Sequence, residues 1–392
     1  MREKFDYSGV DVETSGIPEG KNYNVWRKNV LNQSDFESLS GEERVMEIVN
    51  YGIMAPSTHN TQPWAFTVGK DGGLSVFLDK DRVLPASDPA GRQAVVSVGA
   101  AISFIEMASE GYGVETKIQI EDEEIECVLP YSTERENRYV KLASIEFGKT
   151  IGIGDDFINT KAMLTRRVNR TKEYDSDREV GDEIVSDLVS LSENGVGVHV
   201  LRKGDKLIGT LAITQGLIDA FVGNLPAFSR ELGDWMKHEN TKDFYGMPTS
   251  TFLLEEEFGK KMIKAFRGEV ENKPGYIAGM MANSKQGIQN ASIVGMVTIN
   301  ENSILNWIMA GKTMGEIGIL LEKNKIENAY FAGIAEAADL GFLLASGMIG
   351  SLLNKGFSSK GIPVGLFRSG YGAEERPPHS PRASINSVLV EK

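Results

Sequence analysis

The chain has 392 residues, 41% of them hydrophobic, and a formal net charge of −13. This size and composition suit two domains, or one large α/β domain with insertions, around a sizeable buried core. The negative charge argues against nonspecific binding of nucleic acid and against docking to an anionic membrane, and the single cysteine, Cys127, rules out a disulfide framework or a cysteine-based metal cluster.

The first clear element is a helix that starts at Ser40, where Ser40 and Glu43 form a capping-box pattern. Pro56 disfavours helical geometry at Ala55, so the helix ends before it and a polar loop follows, APSTHNTQPW (residues 55–64). Two strand-like runs come next, WAFTVG and LSVFLD, with the hairpin pattern KDGG between them. A second helix is predicted over about 92–110, followed by the strand-like runs VETKIQI, EIECVLP and RYVKLASIEFG.

Around residue 155 the order of elements starts again with a predicted helix, DDFINTKAMLTRR. A second helix and the strand VGVHVL precede a helix-rich, methionine-rich segment, and then come the strand SIVGMVTI, a helix at 303–323 and a last strand, GIPVGLFRSGYG. The most membrane-like window, 334–353, contains Glu336 and Asp339, which are costly in a spanning helix, so we predict a helix buried in protein. No secretory signal is visible, and a soluble, cytoplasmic protein is expected.

A weak internal repeat runs through this order. The helix–loop–strand unit at 41–68 has a shorter partner at 178–201, and the glycine-bearing helix at 92–111 has a partner at 303–325. Two copies of one α+β unit in a single chain would account for the length.

A cluster of basic residues stands in RRVNR, residues 166–170. On a continuing helix, Arg166 and Arg170 would share one face while Arg167 turns aside. Three guanidinium groups repel one another unless an anion or carboxylates lie between them, and a phosphate monoester matches the donors that arginine presents. The alternative is a solvated basic helix end. Nearer the C-terminus stand three further polar residues, each expected at the surface when taken singly: Arg368, Ser380 and Arg382.

The polar loop at 55–64 is stiffened by Pro56 and Pro63, so its polar groups are oriented at reduced entropic cost. Hydroxyls, side-chain amides and free backbone N–H groups suit a neutral heteroaromatic ligand that alternates donors and acceptors. The alternative is an ordinary helix-to-strand loop with Asx and Ser/Thr turns. The loop also contains His59, and a lone histidine in a loop is more often a structural residue than an acid.

Other common chemistries lack their patterns. The sequence contains no GxSxG, no HExxH and no P-loop, and its four histidines are scattered, which argues against a metal site. The GIG at 152–154 precedes no GxGxxG helix, so a Rossmann nicotinamide site is unsupported.

The loop, the RRVNR cluster followed by TKEY, and the glycine-bearing helices together resemble the nitroreductase family of FMN flavoproteins. Their order and the chain length most resemble its Acg-like subgroup of fused nitroreductase dimers, over roughly residues 40–385. The resemblance implies an α+β nitroreductase-like fold with two nitroreductase-like halves in one chain, residues 1–150 carrying the loop and residues 151–392 carrying the arginines. It also implies a helical, lid-like insertion at about 210–289.

Ordinary members of that family are homodimers that bind FMN at the subunit interface, with arginines from one subunit and the polar loop from the other. In this chain the first half has no RRxxR before its loop, and the second half has SENGVG where its loop would stand. One surviving FMN site is therefore expected. The arginines would hold the phosphate, and Asn169 would reach the ribityl chain or the phosphate edge. The loop would contact the flavin and ribityl hydroxyls, with Gln62 on the pyrimidine side or on the loop itself. The implied cofactor-binding residues are Ser57, Thr58, Asn60, Gln62, Arg166, Arg167, Asn169, Arg170, Ser380 and Arg382.

The implied activity is an FMN-dependent oxidoreductase that takes hydride from NAD(P)H and passes two electrons to a nitroaromatic, a quinone or a similar acceptor, with no acid or base required from the protein. A rival interpretation is an FMN-binding or sequestering protein without turnover, in which side chains of the insertion cover the flavin. A flavin-free scaffold would leave the arginines without a purpose. A pseudo-dimer completes its own site, so monomer and homodimer both stay open. The side chains that would form the cover are Trp235, Phe244, Tyr245, Met247, Met280 and Met281.

Overall fold

The structure is a computed structural model, which describes residues 16–121, 123–129, 137–150, 157–271, 273–337, 343–372 and 376–390. The α-helices of this part are α1 (Gln33–Ser38), α2 (Gly41–Gly52), α3 (Arg92–Gly111), α4 (Ile158–Thr165), α5 (Asp182–Ser190), α6 (Lys206–Asn224), α7 (Pro226–Trp235), α8 (Glu256–Arg267), α9 (Lys273–Asn290), α10 (Ile304–Lys323), α11 (Leu343–Gly356) and α12 (Ile385–Val388). Its strands are β1 (Trp64–Val68), β2 (Leu74–Asp79), β3 (Val114–Ile120), β4 (Tyr139–Thr150), β5 (Val196–Arg202), β6 (Met236–Lys237), β7 (Met247–Pro248), β8 (Ile293–Ile299), β9 (Glu327–Phe331) and β10 (Ile362–Gly370).

Two four-stranded sheets share one topology. Their strand orders are β1-β2-β4-β3 and β5-β8-β10-β9, and every pairing in both is antiparallel. In each half a long helix, α3 or α10, connects the second strand to the third. The α+β class is therefore confirmed. The predicted boundary at residue 150 adjoins residues 151–156, which lie outside the described ranges, so the division into 1–150 and 151–392 stays a prediction.

The two long helices cross at a pair of glycines. A Cβ atom on Gly99 would lie 2.2 Å from the carbonyl oxygen of Ile308, and one on Gly311 would lie 2.0 Å from that of Val96. Only glycine allows backbones to approach so closely. One hydrophobic core consequently continues through both halves and includes the buried side chains of Val98 and Trp307.

The helix-rich segment is inserted between β5 and β8, at the position where the first half has only the turn between β1 and β2. Helices α6 and α9 pack against each other, and α6 joins the second sheet in a core of its own that includes Leu211 and Leu366. The insertion also contacts the first half, where both carboxylate oxygens of Glu231 accept hydrogen bonds from the backbone N–H groups of Ala86 and Ser87 at 2.9 and 2.8 Å.

The C-terminal segment crosses from the second half to the first. The backbone N–H of Val390 donates to the carbonyl oxygen of Phe66 on β1 at 2.9 Å, so the chain end lies along the edge of the first sheet. On the way, the backbone N–H of Arg382 donates to Asn22 O at 2.8 Å, and the Trp26 indole donates to Ser380 O at 2.8 Å. The tail is thereby fixed beside the polar loop.

Three predictions about secondary structure were wrong. EIECVLP contains a 3-10 turn over Ile125–Val128 instead of a strand. The helix predicted over 334–353 begins only at Leu343; the described residues before it form β9 and a turn, and Asp339 lies outside the described ranges. The helix predicted over DDFINTKAMLTRR, to Arg167, ends at Thr165, and Arg166 has the extended ψ of 133°, so the RRVNR segment does not continue the helix.

Among the described residues, two helices are long and apolar enough to span a membrane by length and composition. They are α3, with 83% of its apolar window buried inside the protein, and α6, with 50% buried. Neither is the 334–353 stretch that stood out in the sequence.

Candidate functional site

The polar loop between α2 and β1 has an unusual backbone. His59, Asn60 and Gln62 have φ angles of 47°, 57° and 52°, in the left-handed region that residues other than glycine rarely adopt. Each costs on the order of 1 kcal/mol and persists only where the surroundings hold it. Here the Ser57 hydroxyl accepts a hydrogen bond from the Gln62 N–H at 3.0 Å, and the Thr58 hydroxyl donates to Gln93 at 2.9 Å.

Two amide side chains of the loop connect it to the rest of the protein. The Asn60 Nδ2 donates to the carbonyl oxygens of Gly246 in the insertion and Pro381 in the tail, both at 2.9 Å. The Gln62 side chain donates to Phe244 O at 2.7 Å and accepts from the Ala383 N–H at 2.9 Å. Because both side chains are almost fully buried, they serve first to hold the loop, the insertion and the tail together.

A cavity of about 350 Å³ lies where the loop, the two long helices, the insertion and the tail meet. This volume is within the range of small-molecule sites. Of the residues predicted to bind a cofactor, the ones that line it are Ser57, Thr58, Asn60, Arg170, Ser380 and Arg382.

The remaining predicted residues lie behind the cavity wall. The Gln62 side chain makes the structural bonds described above, the Arg167 guanidinium donates to Pro377 O at 3.3 Å, and the Asn169 side chain accepts from the Thr171 N–H at 2.9 Å. Arg166 donates to the Met54 carbonyl at 2.9 Å and is also absent from the lining. Direct cofactor contact by these four side chains is not what the geometry favours.

Four arginines come together although α4 ends at Thr165, before the first of them. Arg166 and Arg382 are 4% exposed and Arg368 is 6% exposed, which corrects the expectation that the last two lie at the surface. In the described part of the chain, Arg166, Arg170, Arg368 and Arg382 form no ion pair with a carboxylate. Their hydrogen-bond acceptors are mostly backbone carbonyls, such as Ala55 O for Arg382 and Arg170 O for Arg368.

The crowding of these charges lowers the pKa of Arg170 and of Arg382. Burial, followed by repulsion from Arg166 and Arg368, lowers the pKa of Arg170 to about 10. Burial, followed by Arg166 and Arg170, lowers the pKa of Arg382 well below its ordinary value. Among the four arginines of this cluster, three have a buried nitrogen without a hydrogen-bond partner in the described part of the chain: Arg166 Nε, Arg368 Nη1 and Arg382 Nε. Such a cluster is stabilised by an anion that accepts several hydrogen bonds.

His59 and Asp219 face the same cavity with opposite titration behaviour. Burial and the neighbouring Arg170 lower the pKa of His59 to about 4, so its imidazole is neutral at pH 7 and is not an acid. Burial raises the pKa of Asp219, on α6, to about 6. Sequence reasoning missed Asp219 because an aspartate on an inserted helix carries no motif; only the packing of α6 brings it to the cavity.

Comparison with known proteins identifies relatives over part of the chain. No family model matches. The Mycobacterium tuberculosis protein named "Putative NAD(P)H nitroreductase acg" is 30% identical over 127 residues, which are 32% of this chain and 34% of that protein. A second M. tuberculosis protein with the same type of name is 34% identical over 76 residues, 19% of this chain and 22% of that one. Over these segments the chain is similar to the two M. tuberculosis proteins, whose names describe NAD(P)H nitroreductases. Its matches span about a third or less of the length of these relatives.

Solved structures of nitroreductases are similar at much lower identity. A crystal structure described as a nitroreductase from Anabaena variabilis matches with a TM-score of 0.48 and 8% identity, over 95% of this chain and 96% of that one. The FMN-dependent nitroreductase NfnB from Mycobacterium smegmatis, in complex with NADPH, has a TM-score of 0.37 and 13% identity, over 60% of this chain and 98% of that one.

Proposed function

We propose that the chain binds FMN in the cavity between its two halves and acts as an NAD(P)H-dependent oxidoreductase with a small-molecule electron acceptor. The observation that carries the proposal is a cluster of four arginines that have no carboxylate partner in the described part of the chain, next to a cavity lined by the polar loop. Arg166, Arg368 and Arg382 are buried, and Arg170 is half-buried. The relatives support it, since acg bears the name of an NAD(P)H nitroreductase and NfnB is an FMN-dependent one. A cytoplasmic location and a monomeric or homodimeric state are part of the same proposal.

The residues of the cavity fit FMN in two ways. At one end, Arg170, Arg382 and Ser380 offer charged and hydroxyl donors to a phosphate, and the orphaned nitrogen of Arg382 gains a partner when an anion is bound. Along the wall, Val96 and Ala100 of α3 offer an apolar surface to a flat ring. Bound FMN supplies the capacity to accept and pass on a hydride.

The protein's own contribution is electrostatic. Fixed positive charge in a buried site stabilises negative charge that develops on a bound group, because little reorganisation is needed when the charge appears. Ser57 and Thr58 fix the loop that closes one side of the cavity, and the apolar side chains of the insertion, such as Met247 and Met280, exclude water from the other side.

The test is a comparison of Arg170→Met with Arg230→Met, an exposed arginine of α7. Without ligand, removing Arg170 relieves a buried repulsion, so we expect unfolding of the ligand-free protein to require about 1–3 kcal/mol more free energy. With ligand, the same change removes a charged hydrogen bond, and we expect FMN affinity to fall about 10- to 100-fold. Isothermal titration with FMN and urea unfolding measure the two effects, and Arg230→Met should change neither.

The decisive feature is that Arg170→Met should raise the stability of the ligand-free protein while it lowers the affinity for FMN. A merely structural arginine would lower stability and FMN affinity together. If Arg170→Met binds FMN as tightly as the unmodified protein does, the anion site is not at this cluster and the proposal fails.

FMN sequestration without turnover is the second candidate. The observation in its favour is the attachment of the insertion to the first half. The Gly246 N–H donates to Asn60 O, and the Asn60 side-chain nitrogen donates to Gly246 O. The Arg82 guanidinium lies 3.7 Å from the centre of the Tyr245 ring and donates to its hydroxyl at 2.6 Å. Of the six side chains expected to cover the flavin, only Met247 and Met280 line the cavity; the others anchor or flank the segment.

An anaerobic titration of the FMN-loaded protein with NADPH and NADH separates the two candidates. Bleaching of the oxidised-flavin absorbance by a nucleotide, reversed by a quinone or nitroaromatic, supports the oxidoreductase. A flavin that dithionite bleaches but neither nucleotide does indicates sequestration.

A further inference from the structure

The cavity contains a carboxyl group that FMN binding does not require. Among the described residues that line it, Asp219 is the only one with a carboxylate side chain. It lies on α6 of the insertion, on the wall formed with Ser284 of α9 and the apolar side chains Ile218, Val222 and Phe228. A carboxyl in such surroundings is costly to ionise.

The two oxygens of this carboxyl are not equivalent. Asp219 Oδ1 accepts a hydrogen bond from the Gln215 side-chain nitrogen at 2.7 Å. Gln215 is itself fixed, because its oxygen accepts from the Ile334 N–H at 3.2 Å. Asp219 Oδ2 is buried and has no hydrogen-bond partner of good geometry. Since Oδ1 is occupied as an acceptor, a proton on this carboxyl belongs on Oδ2.

The surrounding groups leave this carboxyl as the one that exchanges a proton near neutral pH. Burial raises the pKa of Asp219 to about 6 against smaller opposing effects of Ser284 and Gln215. Other titratable side chains lining the cavity are charged or neutral throughout that range: His59 has its pKa lowered to about 4, Tyr330 has its pKa raised to about 12, and Arg170 has its pKa at about 10. Burial, followed by repulsion from Arg166 and Arg170, lowers the pKa of the fourth group, Arg382. Lys285 of α9 packs against the adjacent face of α6, where its Cβ lies close to Gly216.

We propose that Asp219 is the proton donor to the electron acceptor, and that the acceptors of this protein are apolar compounds, such as quinones, that need a proton together with a hydride. This inference depends on the proposed oxidoreductase function. In the step, bound FMN would supply the hydride that reduces the quinone by two electrons, while the Oδ2–H bond of Asp219 breaks and an O–H bond forms on the quinone. The carboxylate then regains a proton from water. An apolar cavity needs such a donor because it excludes water at the moment of transfer.

The experiment isolates the second half-reaction. FMN-loaded protein is reduced anaerobically with dithionite and mixed with menadione, and the return of oxidised-flavin absorbance is followed from pH 5 to pH 8. In the unmodified protein we expect the rate constant to fall about tenfold per pH unit above pH 6, because the donor loses its proton. Asp219→Asn should be about 100-fold slower at pH 5 and show no such pH dependence. Glu239→Gln, an exposed carboxylate of the same insertion, should follow the unmodified protein.

Ferricyanide supplies the readout that a structural role would not produce, because it accepts electrons without a proton. Re-oxidation by ferricyanide should be unchanged in Asp219→Asn. A second measurement needs no cofactor: in ligand-free protein labelled with carboxyl-¹³C aspartate, the resonance that disappears in Asp219→Asn should titrate near pH 6.

The outcomes separate the two proposals. If menadione re-oxidises Asp219→Asn as fast as the unmodified protein at every pH, or if ferricyanide re-oxidation is slowed equally, the proton donor is refuted while the oxidoreductase stands. If the unmodified protein retains no FMN, or if its reduced flavin is re-oxidised by neither acceptor, the oxidoreductase and the proton donor both fail.

Discussion

The contact between the two long helices gives a prediction that can be worked out in detail. In Gly99→Ala the new Cβ would lie 2.2 Å from Ile308 O and 3.0 Å from the Cα of Gly311, whereas ordinary van der Waals contact begins at 3.4 Å. Both neighbours are backbone atoms, so no side chain can rotate away. We therefore expect α3 and α10 to separate by about 1 Å.

The magnitude follows from two opposing effects. Alanine in a helix interior is favoured over glycine by about 1 kcal/mol, and forced separation of a packed core costs about 1–3 kcal/mol. With rigid backbone on both sides the upper end of that range applies, and the expected net loss is about 2 kcal/mol. Gly279→Ala on α9 is the matched control, since its Cβ would meet nothing within 4 Å and it keeps only the favourable effect.

Urea unfolding followed by tryptophan fluorescence measures the difference, because Trp307 of α10 is buried in the shared core. Gly99→Ala should unfold at a lower urea concentration than the unmodified protein, and Gly279→Ala at an equal or higher one. Because α3 and α10 both line the cavity, Gly99→Ala should also release FMN more readily. If Gly99→Ala is as stable as Gly279→Ala, the helices do not cross in contact and the arrangement of the two halves is wrong.

Two further predictions concern buried charges. Glu336 is fully buried and accepts two hydrogen bonds from Arg92 at 3.0 and 2.7 Å, so Glu336→Gln should lower the free energy of unfolding in urea by about 3–5 kcal/mol. Glu256→Gln, which weakens an exposed ion pair, should lower it by less than about 1 kcal/mol. Equal effects of the two changes would contradict the buried pair. Burial, offset in part by Lys312, raises the pKa of Glu316 to about 7, above its unfolded value of 4.5. The native state thus binds the Glu316 proton more tightly than the unfolded state does, and the stability that this proton contributes is lost as the pH rises from about 4.5 to 7. At pH 8, Glu316→Gln should be more stable than the unmodified protein by about 1–2 kcal/mol, and its free energy of unfolding should depend less on pH. If the two proteins have parallel profiles of stability against pH, the raised pKa of Glu316 is refuted.

Local elements of this protein were predictable because their causes are local. The capping box at Ser40 and Glu43, the hairpin formed by β1 and β2, and the glycine-bearing helices α3 and α10 all appear where the sequence places them. Caps, turns and hydrophobic periodicity act over a few residues, so they survive whatever the tertiary structure adds. The helix expected at 334–353 shows the limit, because apolar composition there did not define where the helix starts.

The site depended on contacts between distant residues. Arg166 and Arg170 stand in an irregular segment after α4, and they come together with Arg368 on β10 and Arg382 in the tail, some 200 residues further along the chain. Gln62 was expected to contact a ligand, yet its amide is used to hold the insertion and the tail.

The sequence by itself therefore determined the kinds of elements, their repeated order and the residue types available for an anion and a flat ring. The tertiary structure decided which polar groups face the cavity, which are used up in joining its walls, and that Asp219 stands among them. The physical reason is that burial and hydrogen-bond partners are set by packing between segments far apart in the chain, and no local pattern encodes them.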